Sequence, residues 1–148
     1  MFFAARWSVV VIFTVLACAC DREAESRAEA KTLLEKLHAL SGDGTLTQRQ
    51  AALDALSHLQ LESPEHARAR DVCHSAHSQL LQAETAQVAA RKTLEEVTRT
   101  AQPGTTLSPE RGAAIAAELE RSNAALAAAK RGFPQCEQET LALTREGR

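Results

Sequence analysis

Cys73 and Cys136 bound the stretch that most constrains how this 148-residue chain can fold. Between them, small and apolar residues recur at alternating steps of three and four, on both sides of a turn-forming segment at 102–107. A repeat of this kind is typical of long helices that pack side by side along their length. Proline and glycine in the segment end the first helix and reverse the chain. The pattern therefore predicts a long, coiled-coil-like antiparallel helical hairpin, closed at its open end by a Cys73–Cys136 disulfide.

The register of this hairpin follows from folding the second helix back onto the first. The predicted facing pairs are Cys73–Cys136, Ala76–Phe133, Leu80–Ala129, Ala83–Leu126, Gln87–Ser122, Ala90–Leu119 and Leu94–Ile115. Most layers set a large residue against a small one, so the helices can approach to the separation of roughly 5.5–6 Å between Cα atoms that a disulfide requires. Gln87 and Ser122 form the one polar layer, and a hydrogen bond between them would select this register.

Capping residues divide the rest of the chain into helices. Thr47 and Gln50 have the spacing of a capping box for the second helix. Ser63 and Ser108, each followed by proline, are the predicted N-caps of the third and fourth helices. Pro134 predicts a kink or break in the fourth helix. The predicted helices span 21–40, 46–61, 64–101, 109–131 and 135–144. No segment alternates polar and apolar residues with period two, so we expect an all-α fold, an elongated bundle built on the hairpin.

The amino-acid composition and the absence of catalytic motifs argue against several classes of function. Beyond residue 20 the only aromatic residue is Phe133, so the chain can bury a thin helical seam but no thick core. The formal net charge of −2 is spread along the chain, without the basic face and aromatic platforms that nucleic-acid binding requires. We found no nucleophile beside a base, no catalytic carboxylate pair and no phosphate-binding glycine loop. The sequence therefore predicts a non-enzymatic protein that uses no cofactor and binds no nucleic acid.

The first seventeen residues have the organisation of a secretory signal. Arg6 supplies a positive n-region, and residues 7–16 supply an apolar h-region too short to span a membrane as a helix. The following run, Val15-Leu16-Ala17-Cys18-Ala19-Cys20, resembles the lipobox of bacterial lipoproteins. The resemblance implies that a cysteine receives a diacylglyceryl group and becomes the first residue of the mature chain.

Two cysteines compete for that role. Cys18 has an aliphatic residue and a small residue at the two most discriminating lipobox positions, and we take it as the lipidation site. Cys20 is the alternative, because cleavage there leaves Cys73 and Cys136 as the only cysteine pair in an oxidising compartment. If Cys20 were the anchor, Asp21 would follow it directly, and in enteric lipoproteins an aspartate at that position favours retention at the inner membrane. The choice between inner and outer membrane stays open.

The sequence thus predicts a signal peptide at 1–17, a lipid-anchor spacer and the start of the first helix at 18–32, and a helical bundle domain at 33–148. The predicted role is that of a lipid-anchored cell-envelope protein that faces the periplasm and binds an envelope protein partner or serves a structural purpose.

A second hypothesis comes from Leu46-Thr47-x-x-Gln50, which resembles the LTxxQ motif of Spy/CpxP-type periplasmic proteins. That family is all-α, and the resemblance implies a stress-linked chaperone or a metal-responsive sensor. His66, His74 and His77 are the candidate metal ligands in this case. Histidines are also common on polar helix faces, and we predict that these three do not form a metal site.

Overall fold

A computed structural model describes residues 5–40, 43–100 and 107–148, with side chains from Arg22 onward. Within these residues the chain forms four helices and no strand, which confirms the all-α class. The helices are α1 (Ala5–Leu40), α2 (Leu46–Ser57), α3 (Pro64–Thr100) and α4 (Pro109–Glu146). The predicted turn at 102–107 lies outside the described residues except for Leu107. The end of the predicted third helix, at residue 101, also lies outside them.

The helices α3 and α4 form the predicted antiparallel hairpin, and the Cys73–Cys136 disulfide closes it. The Cα atoms of the two cysteines are 4.7 Å apart, and both side chains are buried. One helical turn away, a Cβ atom placed on Gly132 would lie 3.2 Å from the Cβ of Ala76. Such close approach of two backbones requires very small side chains, and it explains a glycine inside a helix that glycine otherwise destabilises.

The predicted polar layer is wrong. Ser122 is buried, but Gln87 is exposed, and the Ser122 hydroxyl has no hydrogen-bond partner among the described residues. Ala86 and Ala125 are buried at neighbouring positions instead. Burying the Gln87 amide would cost free energy unless all of its hydrogen bonds were replaced. Helices lined by alanine approach too closely to accommodate that long side chain, so it stays in solvent.

The predicted break at Pro134 is also wrong, because α4 continues through it to Glu146. Proline removes one backbone donor, so the carbonyl of Lys130 loses its helical partner. The helix is nevertheless held on both sides of this point, by the buried Ala129 and by the disulfide at Cys136. Packing against α3 therefore outweighs the local preference for a break.

The helix α2 starts at Leu46 as predicted, but its capping box and its end differ from the prediction. Its capping box is formed by Thr45 and Gln48, two residues earlier than predicted: the Thr45 hydroxyl accepts from the Gln48 N–H at 3.3 Å, and the Gln48 side chain accepts from the Thr45 N–H at 2.8 Å. The helix ends at Ser57 rather than near Leu61. The N-cap of α4 is Ser108, as predicted, and the α3 helix begins at Pro64 after Ser63.

The helices α1 and α2 pack as a layer on the disulfide end of the hairpin. Their leucines join residues of α3 and α4 in one buried cluster, composed of Ala30, Leu33, Leu37, Leu40, Leu53, Leu56, Ala69, Cys73, Ala76, Leu81, Cys136 and Leu143. Ala30 is fully buried, so part of the predicted 18–32 spacer packs on the bundle. None of the described helices combines the length and apolar composition needed to cross a lipid bilayer.

Candidate functional site

The most unusual side chain in the described part of the chain is His66, a histidine only 1% exposed in the first turn of α3. Its Nδ1 lies 2.9 Å from an oxygen of Glu29 on α1, and its Nε2 lies 3.0 Å from an oxygen of Glu146, the last residue of α4. The imidazole thus joins three helices at one end of the bundle. We call His66, Glu29 and Glu146 the histidine clasp.

Glu29 is held firmly in this arrangement. One of its oxygens accepts from the backbone N–H groups of Glu62 and Ser63, just before α3, and its other oxygen contacts His66. A carboxylate at a helix N-terminus is stabilised both by the unpaired N–H groups and by the helix dipole. The Ser63 hydroxyl accepts from the His66 N–H at 3.4 Å, so the same turn is capped from two sides.

Glu146 is held less firmly. Its side chain is 37% exposed, against 16% for Glu29, and it stands at the end of its helix. One oxygen accepts from the Ser26 hydroxyl on α1, and the other contacts Nε2 of His66. Glu146 therefore connects α1 with α3 through a single carboxylate.

The clasp changes the ionisation of its members. Burial alone would lower the pKa of His66, but hydrogen bonds and charge from Glu146 and Glu29 together outweigh burial and raise that pKa above 6.5. The Ser26 hydroxyl, followed by the His66 imidazole, lowers the pKa of Glu146 below 4.5. Both shifts favour the charged forms of histidine and carboxylate.

The clasp borders an open cleft of about 1570 Å³ between the start of the bundled part of α1 and the end of α4. Both positive and negative side chains line its walls. The charged residues that line it are Arg22, Glu23, Glu25, Arg27, Glu29, Glu62, Arg145, Glu146 and Arg148. With both signs present in similar number, the cleft has no strong preference for an anion or a cation.

A second candidate surface lies at the other end of the hairpin. On α4, Phe133, Leu126 and Leu119 recur every seven residues and therefore share one flank of the helix. Phe133 packs against the buried cluster, Leu126 is half-buried, and Leu119 is 45% exposed. The side chains of this flank are thus more exposed the further they lie from the α1–α2 layer.

The helix α3 shows the same transition. Leu80 is half-buried, whereas Leu94, two seven-residue repeats further on, is 51% exposed. Leu94 also borders a shallow depression of about 510 Å³. The predicted pairs Ala90–Leu119 and Leu94–Ile115 therefore do not bury their leucines. We call Leu94, Leu119 and Leu126 the outer face.

The structure does not bring the three candidate metal ligands together. His66 is engaged by two carboxylates, and the His77 ring packs edge-on against Phe133 at 5.1 Å between centroids. Burial and the charge of Arg49 lower the pKa of His77. No group of three or more His, Cys, Asp or Glu side chains in the described part of the chain is arranged to hold a metal ion.

The sequence reasoning missed Glu29 and Glu146 as partners of His66. They lie 37 and 80 residues from it along the chain, and no local pattern links them. The two predicted lipidation sites, Cys18 and Cys20, fall among residues whose side chains are not described. Lipidation and the signal peptide stay predictions.

Comparisons with known proteins found no match to this chain among family models, curated proteins or solved structures.

Proposed function

We propose that this chain is a lipid-anchored cell-envelope protein with a non-enzymatic role, in which the outer face of the hairpin binds an amphipathic helix of another envelope protein. The observation that carries the proposal is the exposure of Leu94 and Leu119 on a seam that is covered elsewhere. Large apolar side chains left exposed along a helical seam are a feature of interaction sites. The resemblance of residues 1–20 to a secretory signal followed by a lipobox supports the proposed location.

A helix is the occupant that best fits this face. At the disulfide end the leucines of α1 and α2 cover the same hairpin. Arg49, near the start of α2, forms an ion pair with Glu84 of α3 at 2.8 Å, so the covered part of α3 ends near Glu84. Beyond Glu84, about 24 Å of α3 extends to Thr100 at 1.5 Å per residue. A partner helix of about sixteen residues would continue the α1–α2 layer over this length.

Lipid attachment is tested by mass spectrometry of the protein purified from the membranes of a bacterium with a lipoprotein-processing pathway. We expect a mature chain that begins at Cys18, or alternatively at Cys20, and carries two or three acyl chains. Cys18→Ala and Cys20→Ala, examined separately, identify the modified residue, since only one of them should abolish acylation. A mature chain that retains Met1, or that begins at an unmodified residue, contradicts the anchor.

Partner binding is tested with a photocrosslinking amino acid placed at position 94 or 119 in the native envelope. The matched control is Leu141, which is on the same helix as Leu119 and is 57% exposed but lies outside the outer face. We expect the same protein to be captured from both positions and not from position 141. Peptide mapping should place the crosslink on a helix with leucines at spacings of three and four.

Charge substitution provides the second arm of this test. Leu119→Glu should reduce capture from position 94 at least about tenfold, because a carboxylate would be buried against an apolar helix. Leu141→Glu should leave capture unchanged, and circular dichroism should show both variants folded, since both leucines are exposed. Crosslinked products with the mass of two copies of this chain, or no product at all, would overturn the proposed occupant.

A further inference from the structure

We propose that the histidine clasp is a proton-controlled latch. With two ring protons, His66 holds the end of α4 and the middle of α1 to the start of α3; loss of one proton releases the Glu146 arm. This inference concerns the bundle alone and does not depend on lipidation or on partner binding.

Hydrogen-bond chemistry gives the first argument. A neutral imidazole has one donor nitrogen and one acceptor nitrogen, whereas an ionised carboxylate only accepts. Both ring nitrogens of His66 face carboxylate oxygens, at 2.9 Å and 3.0 Å. Only the imidazolium, which donates from both nitrogens, satisfies the two contacts together. A neutral ring would turn one contact into a repulsion between a lone pair and a negative charge.

The unequal anchoring of the two carboxylates decides which contact is lost. Glu29 also accepts from the N–H groups of Glu62 and Ser63, so it stays at the start of α3. Glu146 has one further contact, the Ser26 hydroxyl, and its more exposed side chain can move into water. The neutral ring therefore keeps its Nδ1 proton towards Glu29. Release of Glu146 also breaks the Ser26 hydrogen bond, which separates the end of α4 from α1.

The other charged residues near the clasp affect it less than the proton on His66 does. Glu29 and Glu146 are the charged groups that contact the ring. Around them, α1 contributes Arg22, Glu23, Glu25 and Arg27, the segment before α3 contributes Glu62, and the end of α4 contributes Arg145 and Arg148. No charged residue of α2 lines this cleft. Because the outer charges have mixed signs and stand beside an open cleft, water screens them more strongly than the two contacts.

The pKa shifts set the direction of the response. The raised pKa of His66 means that its stabilising contribution is complete below 6.5 and disappears as the pH rises through the raised value. The lowered pKa of Glu146 means that its contribution is complete above 4.5 and disappears as the pH falls through the lowered value. The latch is therefore closed in mildly acidic solution and opens on the alkaline side. The pKa of His77 is lowered, so its contribution to the stability of the fold is complete above 6.5 and disappears as the pH falls through the lowered value. Because this dependence on pH is opposite to that of His66, the latch is measured at His66 and its neighbours rather than through the overall stability.

The protonation of His66 is measured directly by nitrogen NMR of the full-length protein in detergent micelles, with nitrogen-15 in the histidine rings. In the closed state both ring nitrogens of His66 should carry protons. His66 should lose its proton at higher pH than His77, and Glu146→Gln should move this loss to lower pH. His66→Gln assigns the signal. If His66 is neutral when His77 is protonated, or if Glu146→Gln does not change its titration, the latch is excluded.

Opening is measured by hydrogen exchange in the same protein, corrected for the intrinsic effect of pH on exchange. Between pH 6 and pH 9 the amide protection of residues 26–29 and 143–146 should fall about tenfold, which corresponds to about 1.4 kcal/mol. Glu146→Gln should remove most of this difference, because an amide can donate to the neutral ring.

The control for this arm is Glu139→Gln, which makes the same substitution on the same helix at a carboxylate paired with Arg68. It should respond to pH as the natural protein does. Equal protection at the two pH values in the natural protein would overturn the proposal, and so would an equal loss of the response in both variants.

Discussion

Removal of the disulfide should lower the free energy of unfolding by about 4 kcal/mol. The bridge joins residues 63 positions apart, and the entropy that it removes from the unfolded chain grows with the length of the closed loop. The folded hairpin has few other apolar contacts that could offset the lost stabilisation. Beyond the bridge most of the buried residues of α3 and α4 are alanines, which bury little apolar area per residue.

The measurement is urea denaturation of the natural protein and of the double variant Cys73→Ser/Cys136→Ser, followed by circular dichroism. A reducing agent should shift the natural protein to the midpoint of the double variant and leave the double variant unchanged. Non-reducing peptide mapping should recover Cys73 and Cys136 in one linked peptide. Free alkylation of both thiols in the unreduced native protein would contradict the hairpin itself.

Truncation of a leucine in the α1–α2 layer should have the second-largest effect. Leu33 and Leu56 are both fully buried and lie in the same cluster. Replacing either with alanine removes apolar contacts and leaves a cavity, so we expect a loss of about 3 kcal/mol, within a typical range of about 2–5 kcal/mol. Helix propensity cannot reverse this result, since leucine and alanine differ little in that respect.

The control substitution is Leu141→Ala, at an exposed leucine of α4, which should change the free energy of unfolding by less than about 0.5 kcal/mol. Denaturation curves of the three variants under identical conditions provide the comparison. If Leu33→Ala and Leu141→Ala had equal effects, α1 would not be packed on the hairpin. The difference between them therefore measures how tightly the first layer is attached.

Local signals in the sequence were sufficient for the fold class and for the disulfide. The seven-residue repeat identified α3 and α4 as helices that pack along their length, and it placed Cys73 opposite Cys136. Serine before proline marked the starts of α3 and α4. These features work because caps and periodicity act over one or two helical turns, and a single register then relates every layer of a hairpin.

Side-chain packing decided which seam residues are buried and whether α4 continues through Pro134. The sequence favoured a hydrogen bond between Gln87 and Ser122 and a kink or break at Pro134; the hydrogen bond is not formed, and α4 continues without a break. Each expectation rested on the chemistry of a single residue. The close approach of two alanine-lined helices was the stronger effect, since it excluded the glutamine and held the proline within a continuous helix.

The sequence by itself determined the all-α class, the starts of α3 and α4 and the bridge between these two helices, because each depends on residues a few positions apart or on one repeating pattern. Only the tertiary structure brought Glu29, His66 and Glu146 together and left Leu94 and Leu119 uncovered. Such sites arise where helices distant in sequence end beside one another, or where a layer stops short. Their positions are set by how the whole bundle packs, and no periodicity in the chain encodes them.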